Sequence, residues 1–376
     1  MMKFRLPLLS LLIVVTSFVS ACSGCSSSVE VDEDPAVRVA ELASFIPGDT
    51  DAALVVPEIR QMPDTLDYIL ARYRHVDPGA QDLATRFSQE LGVQLTSLEM
   101  LELAGFHPDG SLIFSLVDGR FVLTAHLADK NAFVRYFIGH IRREHGTQTR
   151  ISDEELGGRE YTISGDTRQD DMAWYFNEDD SIVVLVMAPY DFLEDFITSN
   201  SDDVATTLAE MDSDATLANS DHFATFREQF GDDYPISLYL SRPQLGDGDS
   251  DVASDVIAMG FRAEPRRVNV DLFVDGSDIT PGALGDDEVL ATILANLGLA
   301  DAQRTALGDS LDQQVDDDSL QWDFTALHDR VRDISALEER VSLVRAIEDI
   351  SIATDADGPG TLFELTIDFT DPVGSN

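Results

Sequence analysis

Seven histidines and seventy acidic residues are the side chains of this 376-residue chain best suited to acid–base or metal chemistry. Their spacing decides which of them can act together. His140, Glu144 and His145 come closest to a metal cluster. His140 and Glu144 lie one helical turn apart and share a face, but His145 is turned away by about 100°. The trio therefore reads as charge complementing a helix C-terminus rather than as a ligand set. Asp247, Asp249 and Asp251 recur at alternate positions with Asp255 beyond, like the first half of a calcium loop. Such a loop needs glycine at its sixth position and glutamate at its twelfth; Val252 and Ala258 stand there, so calcium is a weak partner and a solvated acidic loop the simpler reading. Asp355-Ala356-Asp357-Gly358 is incomplete in the same way. His107 and His126 are the bases a hydrolase would use if its triad were assembled from distant residues. No Gly-x-Ser-x-Gly elbow, His-Glu-x-x-His pair, Walker loop or Gly-x-Gly-x-x-Gly turn occurs. Carboxylate pairs for glycosidase work cannot be singled out among so many acids. No catalytic, cofactor-binding or metal residue is assigned on this basis, and no cofactor is expected.

The elements that must position these residues follow from hydrophobic period and turn chemistry. Val37–Phe45 reads as a short helix and Ala52–Val56, closed by Pro57, as a buried strand. Met62, Leu66, Ile69, Leu70 and Tyr73 share a helical face. Helices follow over Gly79–Leu91 and Ser97–Ala104. Leu112–Val117 and Phe121–Leu127 flank Asp118-Gly119, a hairpin signal. Ala132–His145 is an amphipathic helix, Met172–Phe176 and Ile182–Met187 form a second hairpin, and Pro189 starts a helix over Tyr190–Ile197. A looser echo comes after residue 200. It comprises a helix with Phe223, Phe226 and Phe230, a strand over Pro235–Leu240, a hairpin of Phe261–Ala263 with Val268–Val274, and helices over Val289–Leu297 and Asp301–Leu307. A long helix is expected over Phe324–Ile347, its stripe of Leu327, Val331, Ile334, Leu337, Val341 and Val344 facing the core or, as the lesser reading, a partner. Ile350–Ala353 and Leu362–Phe369 close the chain as a hairpin. The expected fold class is α+β, in two modules over 37–200 and 201–376, each an antiparallel sheet with helices packed on one face.

Charge narrows the partners. Twenty-five Lys and Arg stand against 70 Asp and Glu, a formal net charge of −45 at pH 7. Phosphate backbones need clustered cations, so nucleic acid is excluded as a partner. Electrostatic attraction to anionic lipid heads is disfavoured for the same reason. Beyond Lys3, only Lys130 is a lysine. Acid runs such as Glu178-Asp179-Asp180, Asp286-Asp287-Glu288 and Asp316-Asp317-Asp318 are spread evenly, like the surfaces of proteins from salt-loving organisms, and imply a body adapted to a saline exterior. The Arg135–Arg142–Arg143 and Arg262–Arg266–Arg267 groups are expected to pair with acids internally, an anionic partner being the alternative.

The N-terminus carries the sharpest signal. Lys3 and Arg5 precede an apolar run from Leu6 to Val19, the pattern of a secretory signal. At 1.5 Å per residue such a run reaches about 21 Å, short of a hydrocarbon core of roughly 30 Å. It ends in Val19-Ser20-Ala21-Cys22, which resembles the lipobox of bacterial lipoproteins. That resemblance implies a signal peptide over 1–21, a diacylglycerol on the Cys22 sulfur and a lipidated flexible tether over 22–36. Ser23, where an aspartate would imply retention at the inner membrane, implies the outer membrane. With Cys22 and Cys25 the only cysteines, the body must fold without a disulfide. Phe45 to Pro57, with its Pro47-Gly48-Asp49-Thr50 turn, and Gly105-Phe106-His107-Pro108-Asp109-Gly110 resemble segments of an uncharacterised family of exported bacterial proteins, a domain of unknown function. The expectation is a lipid-anchored envelope protein, body in the periplasm or at the cell surface, that binds or scaffolds rather than catalyses. An envelope hydrolase and a calcium-dependent surface adhesin are the alternatives.

Overall fold

The computed structural model describes residues 31–32, 34–73, 93–117, 120–144, 146, 149–156, 159–165, 170–187, 215–230, 233–241, 256–275, 286–316, 318–355 and 360–370. The expected helices over 79–91 and 190–197, the signal peptide, Cys22 and the module boundary at 200 lie outside them. Seven described strands precede that boundary: β1 (Ala52–Val56), β2 (Leu112–Val117), β3 (Arg120–His126), β4 (Arg150–Leu156), β5 (Arg159–Gly165), β6 (Asp170–Phe176) and β7 (Ile182–Met187). Seven follow it: β8 (Ile236–Ser241), β9 (Val256–Glu264), β10 (Arg267–Asp275), β11 (Asp312–Asp316), β12 (Ser319–Asp323), β13 (Ile347–Asp355) and β14 (Gly360–Phe369). All fourteen join one antiparallel sheet, in the order β11-β12-β13-β14-β10-β9-β8-β1-β2-β3-β7-β6-β5-β4. The α+β class stands.

That order repeats outward from its centre. The run β1-β2-β3-β7-β6-β5-β4 on one side is matched by β8-β9-β10-β14-β13-β12-β11 on the other. In each half three strands are followed by a four-stranded meander whose last strand pairs with the third. The halves meet where β1 pairs antiparallel with β8, Ala53 opposite Tyr239 and Leu54 opposite Leu238. An antiparallel join of two like units implies an approximate two-fold axis normal to the sheet, which puts equivalent helices on the same face. The helices obey this. The helix leading into β1, α1 (Pro35–Ala43), and the one leading into β8, numbered α5 (Asp221–Phe230), share one core.

The seam also explains where the sheet departs from expectation. Two separate sheets, each with helices on one face, would have left β1 and β8 as edges. Instead β1 is a central strand buried throughout, as its continuous apolar sequence Ala-Ala-Leu-Val-Val suits. Its Ala53 and Val55 enter the α1–α5 core with Leu42, Phe223, Phe226 and Phe230. Leu54 and Val56 enter the opposite core. That second core takes Met62 and Leu66 from α2 (Met62–Tyr73), Leu101 from α3 (Leu98–Leu103) and Phe133, Phe137 and Ile141 from α4 (Lys130–Glu144). Each such side chain contributes about 1.5–3 kcal/mol by burial. A third core covers β12–β14 with α6 (Asp286–Asn296), α7 (Asp301–Gly308) and the segment before β13. Val268 packs on this core and Val270, two residues along β10, on the α2–α4 core, so the two share a face of the sheet.

The expected long helix over 324–347 is a correction. The segment is three 3₁₀ pieces, Thr325–Leu327, Val331–Asp333 and Ser335–Arg340, followed by the short α8 (Val341–Ala346). Ile334 is extended at φ −93° and ψ 95°, which breaks the run. Polar groups also intercept its carbonyls: Arg345 Nε donates to His328 O at 3.0 Å, and the Thr370 hydroxyl to Arg345 O at 3.1 Å. Spacings of three and four fit a 3₁₀ strap as readily as an α-helix. The stripe itself faces the core, with Leu327, Val331, Leu337 and Val344 buried, so the partner-binding reading of that face is corrected too.

Candidate functional site

Charged and hydroxyl side chains converge where α1 crosses the ends of β2 and β3. Asp34 caps α1 by accepting the Ala36 N–H at 2.9 Å, and Pro35 follows at the first turn. The helix delivers Arg38 and, one turn on, Glu41 to the sheet. Arg38 is buried, an expensive location for a cation unless its donors are met. Its Nε donates to Ser111 Oγ at 3.3 Å, Nη2 to Pro57 O at 3.2 Å and Nη1 to Asp32 O at 2.5 Å. The Ser111 hydroxyl in turn donates to Pro57 O at 2.7 Å.

His126, at the end of β3 and only 3% exposed, completes the cluster. The Ser111 backbone N–H donates to its Nδ1 at 3.2 Å, which leaves Nε2 to carry the proton and donate to Glu41 Oε2 at 3.3 Å. Burial pulls the His126 pKa below its ordinary value, while the hydrogen bond and charge of Glu41 pull the other way. Serine, histidine and glutamate thus meet, but not as a triad. The imidazole faces the serine's amide rather than its hydroxyl, and that hydroxyl is held between Arg38 and Pro57 O. Nothing in this geometry activates Ser111 as a nucleophile.

His107 serves the same corner. Its Nδ1 accepts the Asp109 N–H at 3.2 Å, closing the His-Pro-Asp turn, and its backbone N–H donates to His126 O at 3.0 Å. Gly110 lets the turn pass close by, because a Cβ there would lie 2.6 Å from His126 Cβ. The motif of residues 105–110 therefore shapes a backbone corner. Thr50 of the other quoted motif does likewise, its buried hydroxyl donating to Pro47 O at 2.6 Å.

His126 is neutral near pH 7, and that state carries a pH signature. With the folded pKa lowered, the unfolded chain binds more protons just below pH 6.5, so this contribution is present above that pH and is lost as the pH falls. His126→Asn keeps an acceptor for the Ser111 amide but does not titrate. The stability advantage of wild type over this variant, from urea unfolding at pH 7 and pH 5.5, should shrink by on the order of 1 kcal/mol per pH unit. A constant difference would show that His126 does not titrate in this way.

The remaining sequence-predicted residues do not converge. His140 is buried in α4; the Glu144 side chain, His145 and the Asp247–Asp255 series lie outside the described residues, as do Ala356-Asp357-Gly358. Among the described residues no three or more His, Cys, Asp or Glu are grouped to hold a metal. Of the arginines, Arg135 is 3.9 Å from Asp129 and Arg267 pairs with Asp368 through two contacts of 2.6 and 2.8 Å. Arg262 lies over the Tyr234 ring and donates to Asp233 O at 2.8 Å. Tyr234 in turn hydrogen-bonds Asp271; burial, followed by that carboxylate, raises the pKa of its phenol. Arg38, Glu41 and Ser111 were not legible as a cluster, since they come from segments far apart in sequence. The one local hint is a lone arginine within the apolar run Val37-Arg38-Val39-Ala40.

Comparison with known proteins adds little chemistry. No family model matches the chain, and no curated protein matches it. Among solved structures, crystal form III of TP0453 aligns over 90% of this chain and 95% of its own, at 9% identity and a TM-score of 0.38. Crystal form I of TP0453 aligns over 76% and 90%, at 9% identity and a TM-score of 0.34. Similarity at this level assigns no function.

Proposed function

We propose that this chain is an exported lipoprotein whose body is held at the outer membrane through Cys22 and acts as a binding or scaffolding module in the periplasm or at the cell surface. The observation that carries the reading is the N-terminal sequence: basic Lys3 and Arg5, an apolar run, then Val19-Ser20-Ala21-Cys22. The start of the described body is compatible with a tether there. Asp32 O is fastened by Arg38, and α1 starts at Pro35. The residues from Cys22 to that helix could reach at most about 45 Å. Acyl chains contribute about 0.8 kcal/mol per buried methylene, so two or three chains on one cysteine suffice for stable anchoring. In this reading the Arg38–Ser111–His126–Glu41 cluster is structural, its polar groups holding α1 to the sheet.

Mass spectrometry of the mature N-terminus tests it. Wild type should start at Cys22 carrying diacylglycerol and partition with membranes; Cys22→Ala should be unacylated and leave the membrane fraction. A wild-type product that starts elsewhere, carries no lipid and is soluble overturns the anchor.

A further inference from the structure

The register of the C-terminal half sets four aspartates side by side. Asp312 of β11 is opposite Asp323 of β12, Asp323 opposite Asp349 of β13, and Asp349 opposite Asp368 of β14. A cation appears only on the next strand, where Arg267 of β10 faces Asp368, with Glu264 of β9 beyond it. Residues opposite one another share a face, and their neighbours Trp322, Ile350 and Ile367 point into the third core, so the row lies on the other, polar side. The next row on that side, Gln314, Gln321, Ser351, Thr366 and Asn269, is uncharged.

Like charges directly opposite across strands are destabilising. A solvated polar face has no need of three such pairs in succession. We infer that the Asp312–Asp323–Asp349–Asp368 row is a salt- and proton-responsive seam that sets how tightly β11–β13 hold to β14. Asp349 is its centre. It is partly buried and flanked by Asp323 and Asp368 across the strands, with Glu348 on its own strand at the β-bulge and Arg267 as the nearby opposing cation. Burial first, then the charges of Asp368, Glu348 and Asp323, raise its pKa, with Arg267 pulling the other way. Asp323 behaves in the opposite sense. The Thr325 hydroxyl and N–H hold its carboxyl low, with help from His328 of the strap. On acidification Asp349 therefore takes up its proton before Asp323 does, and the neutral acid can donate to a neighbouring carboxylate. With a raised folded pKa the native state binds the extra proton, so this seam tightens as the pH falls toward that pKa. Dissolved salt relieves the same repulsion by screening.

Amide hydrogen exchange of the purified full chain tests the seam, with protection read in β12–β13 relative to β2–β3. Raising NaCl from about 0.05 M to about 1 M at pH 7 should slow wild-type exchange in β12–β13 by roughly three- to tenfold more than in β2–β3. Asp349→Asn, nearly isosteric with the neutral acid, should already be slow at low salt and gain little. Glu178→Gln, which removes an exposed acid in the β6–β7 turn, should keep the wild-type difference in salt response between β12–β13 and β2–β3. Stepping the pH down from 7 through the carboxylate range, with rates corrected for intrinsic exchange, should slow wild type but not Asp349→Asn. The inference is overturned if Asp349→Asn keeps the wild-type salt response, if it exchanges faster at every salt concentration, or if β2–β3 and β12–β13 respond alike.

Discussion

Gly105→Ala should destabilise the protein by about 3–5 kcal/mol, a large share of the 5–15 kcal/mol available to a folded domain. Two independent causes meet at this residue. It follows α3 at φ +91°, in the left-handed region that costs an L-residue roughly 1–2 kcal/mol. There it closes a Schellman motif: Gly105 N–H donates to Glu102 O at 2.9 Å and Phe106 N–H to Leu101 O at 3.0 Å. The second cause is backbone against backbone. A Cβ would lie 2.5 Å from Asp129 O and 2.7 Å from Phe133 N, so α4 would have to shift. Moving α4 disturbs Phe133 and Phe137, stacked with centroids 4.2 Å apart in the α2–α4 core. Gly139→Ala, in the interior of α4, is the matched contrast. Its nearest neighbour is Arg143 Nη1 at 3.6 Å, and alanine there should stabilise by about 0.5–1 kcal/mol. Urea unfolding of the two variants should move the midpoint in opposite directions; equal shifts would refute the close-approach account.

The same corner shows what can be read from sequence and what cannot. Ser97 before an apolar run and Gly105 after it mark both ends of α3 locally. The Ala52–Val56 strand and the Leu112–His126 hairpin were legible because apolar runs and Asp118-Gly119 sit within a few residues of one another. The pairing of β1 with β8 was not, because it joins Leu54 to Leu238 and no local period encodes a partner so far away. Two hairpins are nearly silent in the sequence. In β4–β5 and β11–β12 the outer strands, Arg-Ile-Ser-Asp-Glu-Glu-Leu and Asp-Gln-Gln-Val-Asp, are polar on both sides and lack strand-forming composition. Gly157-Gly158, a two-residue hairpin signal, was the available clue for the first. These strands are the two edges of the sheet, and charge there opposes pairing with another chain. The property that hid them is the one an edge requires. At the Arg38–Ser111–His126–Glu41 cluster only His126 stands out in the sequence, as a candidate base. Its role depends on Glu41 from α1 and the Ser111 amide, which only the fold brings to it.

Transfer from about 1 M to about 0.05 M NaCl should lower the melting temperature by on the order of 10 °C. The formal charge of −45 is the first reason. Two unit charges about 10 Å apart in water repel by about 0.4 kcal/mol, and a chain with 70 acids against 25 basic residues sums many such terms. The second reason is where the cations lie. Arg60 with Asp109, Arg304 with Asp301 and Lys130 with Asp180 are surface pairs, which contribute little and are themselves weakened by salt. Their loss at 1 M therefore opposes the expected trend only slightly. The third is that both sheet edges and the row ending at Asp368 place acids against acids. The Debye length shrinks from about 10 Å at 0.1 M to 3 Å at 1 M, so repulsion beyond nearest neighbours disappears over this range. A general strengthening of apolar burial by salt predicts a similar sign, and a charge variant separates the two. Neutralising the scattered exposed acids Glu102, Glu178 and Glu228 to glutamine should raise the melting temperature at low salt and leave it unchanged at 1 M. If the wild-type melting temperature is flat with salt, repulsion does not limit this fold and the saline-exterior reading of its composition fails. If the variant gains equally at both concentrations, the gain is helix propensity or packing rather than relief of charge.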